Sequence, residues 1–139
     1  MNFYFLLDRA KIRSLQELKY FIMENKKGLP VYKASYDLLL ESFKLVKDIR
    51  RDYRYTAGEK LKNEIIEMIM NIYRANKRAE GKLKRVKEAQ ENLEVIKILF
   101  RLLKDLNQIS IDNFAKVSKQ IDDVSRQLFG WHKSLKTKN

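Results

Sequence analysis

The chain has no cysteine, one histidine, one proline and four glycines in 139 residues. Each scarcity removes a class of protein. Without cysteine there is no disulfide scaffold, no Cys-type zinc finger and no thiol nucleophile. A single histidine, His132, cannot build a multi-histidine metal site. So little Gly and Pro argues against a loop-rich fold and against disorder. Long apolar runs are missing too. The longest are about five residues, such as Phe3 to Leu7, against the roughly 20 needed to span a bilayer. Asp8 follows that stretch and no small-residue cleavage site appears, so the start does not read as a signal peptide and a cytoplasmic location is expected. No membrane partner and no cofactor are expected.

What the chain has in excess is positive charge. Thirty Lys and Arg stand against 18 Asp and Glu, a net +12 with pI ≈ 9.8. The length suits one domain with its own core, and the charge points to a polyanionic partner, most simply nucleic acid.

The apolar spacing is helical along most of the chain. Pro30 opens a helix over about 30–49 with Val31, Leu38, Leu39, Val46 and Ile49 on one stripe. Arg50, Arg51, Asp52 and Tyr53 read as a polar connector. Thr56 and Glu59 have capping-box spacing and open a second helix, with Ala57, Leu61, Ile65, Met68, Ile72 and Ala75 inward, ending near Asn76. A basic connector containing Gly81 follows. The third helix carries Leu83, Val86, Ala89, Leu93, Ile96, Phe100 and Leu103. A second row of Val95, Leu99, Leu102 and Leu106 widens its apolar face, as for a helix buried between neighbours. Ser110 is the N-cap of a fourth helix, with Asp112 in its first turn and Phe114, Val117, Ile121, Val124, Leu128 and Trp131 on its stripe. The predicted fold is all-α, an antiparallel up-down-up-down four-helix bundle over 29–135. Residues 1–28 form an extension in which Ser14, Glu17, Leu15, Leu18 and Ile22 suggest a short extra helix at about 15–26. Residues 136–139 read as a basic tail.

No pattern of catalysis is present. There is no Gly-rich phosphate loop, no nucleophile elbow and no triad that His132 could complete, so the chain is not read as an enzyme. Glu64, Glu67, Glu88, Glu91 and Glu94 lack the paired histidines of a di-iron bundle and read as solvated helix faces. His132, beside Trp131, reads as structural. Arg51, Tyr53, Arg54 and Tyr55 interleave bases and rings as a nucleic-acid stacking site does, but rings packed over the bundle end, with only the hydroxyl wet, are the preferred reading.

The distribution of charge is more informative than any one residue. In an antiparallel bundle the first and third connectors share a pole, where Lys47, Arg50, Arg51, Arg54 and Lys104 face Asp48, Asp52, Asp105 and Asp112. The other pole gathers Lys26, Lys27, Arg74, Lys77, Arg78, Lys82, Lys84, Arg85, Lys87, Lys133, Lys136 and Lys138 against Glu80 and Glu88. From this set the candidate nucleic-acid-binding residues are Arg74, Lys77, Arg78, Lys82, Lys84, Arg85, Lys87, Lys133 and Lys136, a phosphate-backbone surface that would be blind to sequence and sensitive to salt. Leu39, Phe43, Leu99, Leu102 and Phe129 exceed what one bundle core needs and are candidates for a contact between subunits.

Several local runs carry a family resemblance: Arg54-Tyr55-Thr56 with Gly58 just beyond, Arg101-Leu102-Leu103-Lys104-Asp105-Leu106, Ser110, and Gly130-Trp131 with Ser134. In their order and spacing over about 29–135 they resemble the bacterial four-helix-bundle proteins first noticed in intervening sequences of ribosomal RNA genes. Within these, the chain looks most like the accessory variability determinants (Avd) of diversity-generating retroelements. The resemblance implies a basic, non-catalytic bundle that assembles as a homopentamer. It also implies binding to the element's reverse transcriptase and template RNA, with its cDNA, in support of mutagenic cDNA synthesis. The competing expectation is an oligomeric protein-interaction module with no nucleic-acid role.

Overall fold

The computed structural model describes residues 30–137. The extra helix expected at about 15–26, the Phe3–Leu7 run and the cations Lys26, Lys27 and Lys138 lie outside the described residues. Among the described residues there is no strand. The elements are α1 (Pro30–Lys47), α2 (Arg51–Tyr53), a π-helical turn (Arg54–Gly58), α3 (Glu59–Lys77), α4 (Lys82–Asp105) and α5 (Ile111–Thr137). The four long helices pack in chain order, and α1 closes the ring against α5. This is the expected four-helix bundle.

Helices of this length are marginal alone in water, so packing of one face must supply the stability. The inward positions are the expected ones. Leu38, Leu39, Leu61, Ile65, Met68, Ile72, Ile96, Phe100, Val117 and Leu128 are all buried in one continuous core. Each side chain of that size contributes about 1.5–3 kcal/mol on full burial.

Two expectations about the faces are corrected. Leu39 is not available to a neighbouring subunit; it lies wholly inside the core. In the second row of α4, Val95, Leu99 and Leu106 are half-buried but Leu102 is exposed, while α3 buries Ile66, Ile69 and Met70 beside its main stripe. Polar residues are buried at the flanks of α3 as well, each through a pairing. Lys62 reaches Glu59 at 2.9 Å and stands over the Phe43 ring. On the side facing α4, the Asn71 amide donates to Asn92 Oδ1 (2.9 Å) and the Asn92 amide donates to Glu64 Oε2 (3.0 Å). Lys60 pairs with the other Glu64 oxygen at 2.8 Å. Glu64 is therefore a buried, fully engaged carboxylate and not a solvated one. Satisfied in this way, Glu64 and Asn71 can be buried without the penalty of a lost hydrogen bond.

The start of the second long helix is also corrected. The helical path begins at Arg51, and Thr56 is inside it. The Thr56 hydroxyl donates back to the Asp52 carbonyl at 2.9 Å, so it caps nothing. The Glu59 N–H bonds to the Arg54 carbonyl five residues back, which is the wide π spacing. Gly58 ends this turn in close contact with α1. A Cβ there would stand 2.7 Å from Val46 Cγ1 and 3.2 Å from the Tyr53 carbonyl oxygen. The end of α1 presses onto this point, and only a glycine admits it.

Candidate nucleic-acid interface

Two poles follow from the helix directions, and contacts identify each. At the first, Gln108 Oε1 accepts the Arg50 N–H at 2.9 Å, joining the α1–α2 and α4–α5 connectors. Here α4 ends in a Schellman motif. Asn107 takes the left-handed conformation (φ 59°), the Gln108 N–H returns to the Leu103 carbonyl at 2.8 Å, and that of Asn107 to Lys104 at 2.9 Å. Ser110 then caps α5 as expected, its hydroxyl accepting the Asn113 N–H at 3.0 Å. At this end Arg101 and Lys104 both lie within 4 Å of Asp105.

At the second pole Tyr32, at the start of α1, donates to the Ile72 carbonyl near the end of α3 (3.4 Å). His132 Nδ1, near the end of α5, lies 2.8 Å from Gln90 Oε1 on α4. This gives His132 a structural seat. Burial pushes the Tyr32 phenol well above its ordinary range, opposed in part by the Asn76 side chain. The α3–α4 connector turns through Gly81 at φ +75°, a conformation that suits glycine.

The candidate residues gather around this second pole. Arg74 and Lys77 close α3 and Arg78 follows it. Lys82, Lys84, Arg85 and Lys87 occupy the first turns of α4, and Lys133 and Lys136 the last turns of α5. Helix α5 continues through Thr137, so Lys136 is helical. Lys77, Arg78, Lys84, Lys87, Lys133 and Lys136 are exposed, whereas Arg74, Lys82 and Arg85 are half-buried. Among the described residues, Arg85 alone of the nine is held in an ion pair, with Glu88 at 3.0 Å. Lys77 lies 5.9 Å from the Tyr73 ring centroid.

Nine cations against Glu80 and Glu88 thus lie on converging helix ends. Unneutralised cations gathered this way set up a field that attracts anions, and their dispersed geometry suits a phosphate chain better than one small ion. Among the described residues, no group of three or more acidic, His or Cys side chains is placed to hold a metal. None of the described helices is long and apolar enough to cross a membrane.

The interleaved ring motif divides. Tyr53 packs partly buried against the core with Arg50 over its ring, while Tyr55 is 60 % exposed with Arg51 5.9 Å from its centroid. Of the subunit-contact candidates, Phe43 and Leu99 are partly buried against the core, and Leu102 and Phe129 are exposed. Ile98 and Ile111 are exposed as well and were not expected. Ile98 adjoins the second apolar row of α4. Ile111 sits directly after the N-cap, where periodicity cannot distinguish inward from outward.

The fold and the cationic pole define a small basic four-helix bundle. Comparison with known proteins makes this specific. A family model described as bAvd-like matches residues 22–135, and the chain belongs to that family, the Avd-like (accessory variability determinant) proteins. Membership places it broadly among the accessory proteins of diversity-generating retroelements. Among curated proteins, none matches the chain.

Proposed function

We propose that the protein is a non-catalytic accessory subunit of a diversity-generating retroelement. It binds the element's reverse transcriptase and template RNA, with the cDNA made from it, and supports mutagenic cDNA synthesis as a homo-oligomer, a pentamer by analogy with its family. The observation that carries the nucleic-acid part is the second pole, where six exposed cations have no carboxylate partner among the described residues. Such a surface binds by releasing counterions, so affinity falls steeply with salt. Arg74, Lys82 and Arg85 are half-buried and act mainly by placing charge behind the exposed six.

The test is RNA binding across a salt series. Reversing Lys77, Lys84 and Lys87 to Glu should weaken binding and flatten the dependence of log K on log salt by roughly 0.7 per lost phosphate contact on a single strand. An unchanged slope would exclude the second pole as the phosphate surface. Wild-type protein that shifts no RNA at low salt would favour the interaction module without a nucleic-acid role. The exposed Leu102 and Phe129 support assembly into oligomers. Sedimentation at micromolar concentration as a monomer would remove both oligomer and pentamer.

A further inference from the structure

The neutral pole holds a feature that phosphate attraction does not explain. Tyr53 and Tyr55 are two residues apart, yet they end in different environments. Tyr53 packs against the core and Tyr55 is 60 % exposed. An exposed ring alone requires no explanation. This one is held and flanked in a particular way. The helical turn that carries it is pinned by the Thr56 hydroxyl on the Asp52 carbonyl and by the seat of Gly58 against Val46. The Arg51 guanidinium lies 5.9 Å from the ring centroid, close enough for a cation–π contact. Among the described residues no ion pair holds Arg51.

The ring's sequence neighbours decide what fits it. An aromatic anchor in a protein interface sits among other buried-on-binding apolar groups. Around Tyr55 in the chain, Arg51, Asp52 and Thr56 are all exposed and polar. A flat apolar face beside a planar cation suits a ligand that is itself flat and attached to a negative charge. An unpaired nucleobase on its phosphate has both properties.

We propose that Tyr55, with Arg51 beside it, is a stacking platform for an unpaired base of single-stranded RNA at the pole opposite the cationic surface. The proposal rests on RNA being a partner, as argued above, and adds a second and chemically different contact. Stacking releases few counterions. Its contribution should therefore move affinity by the same factor at every salt concentration, whereas the cationic pole governs the slope. Because the ring is already positioned, little ordering cost opposes the contact.

The experiment uses the full chain and a short single-stranded RNA carrying 2-aminopurine, titrated across a potassium chloride series. Tyr55→Ala should bind roughly 5- to 150-fold more weakly at every salt concentration, the range given by removal of base-stacking aromatics. Its salt slope should match wild type, and quenching of the 2-aminopurine should be lost. Tyr55→Phe should keep both. Blunt duplex RNA, which offers no unpaired base, should bind both proteins alike. Tyr55→Ala binding the single strand like wild type, while Lys77, Lys84 and Lys87 reversal weakens it, overturns the platform and leaves the cationic pole standing. An equal loss on duplex RNA, or loss of a protein partner with RNA binding intact, also overturns it. Wild-type protein that binds no RNA at low salt overturns both.

Discussion

The two ends of the bundle have opposite constructions. The end holding the π-helical turn is tied down: Gln108 bridges the connectors, a Schellman motif closes α4, and Asp105 collects two cations. The other end is tied through its helices, by Tyr32 and His132, and leaves its surface charges unmatched. The contrast separates two uses of sequence. At the first end Gln108, Thr56 and Asp105 are spent on backbone and on neighbouring side chains, so they hold shape. At the second the exposed cations face solvent, so they contribute almost nothing to stability and remain available to a ligand.

This contrast can be broken by substitution, and the largest effect belongs to the tied end. Gly58→Ala must push Cβ against Val46 and the Tyr53 carbonyl. It should destabilise by about 1–3 kcal/mol despite the better helix propensity of alanine. Thermal unfolding would show this as a drop of several degrees, and an unchanged midpoint would mean that α1 does not press on the π turn.

A smaller effect tests the seam at the basic end. Tyr32 has its phenol pKa raised in the fold by burial, while in the unfolded chain it ionises near pH 10. Above that pH the unfolded state loses the proton and the folded state keeps it, so stability is present below pH 10 and falls as pH rises beyond it. Tyr32→Phe should remove that part of the alkaline loss and cost less than about 1 kcal/mol at neutral pH, since its hydrogen bond is long. Identical alkaline unfolding curves for the two proteins would contradict a buried phenol.

The smallest stability effect is expected where the largest binding effect is. Lys77, Lys87 and Lys136 replaced together by Gln should change unfolding free energy by less than about 0.5 kcal/mol each while weakening RNA binding. A large thermal shift would show that these lysines hold structure, and would erase the difference between the ends.

Much of this was legible from periodicity. The positions of Leu61, Ile65, Met68 and Ile72 on one stripe, and of Ser110 before Asp112, already specified a helix face and a cap, because both depend on local spacing. The charge segregation followed once antiparallel packing was assumed. What periodicity could not give was any feature decided by a distant segment. Thr56 and Glu59 have capping-box spacing, but the helical path already begins at Arg51 and Gly58 sits inside it against Val46. Glu64 looks like any surface carboxylate until Asn92, 28 residues on, is placed beside it. Tyr53 and Tyr55 are alike in composition and differ only in which one the fold turns inward. For the candidate site, the cations were nameable from the sequence alone; the structure separates the exposed six from the half-buried three.

The amide chain between α3 and α4 has a consequence beyond holding a carboxylate. Asn71, Asn92 and Glu64 meet in one alignment of the two helices. Sliding either by a turn, about 5.4 Å, would part them and strand buried polar atoms. The chain therefore works as a vernier: a setting made at mid-bundle fixes how far Arg74 and Lys77 on one helix stand from Lys84 and Lys87 on the other, and so fixes the spacing of positive charge that any ligand at that end must match.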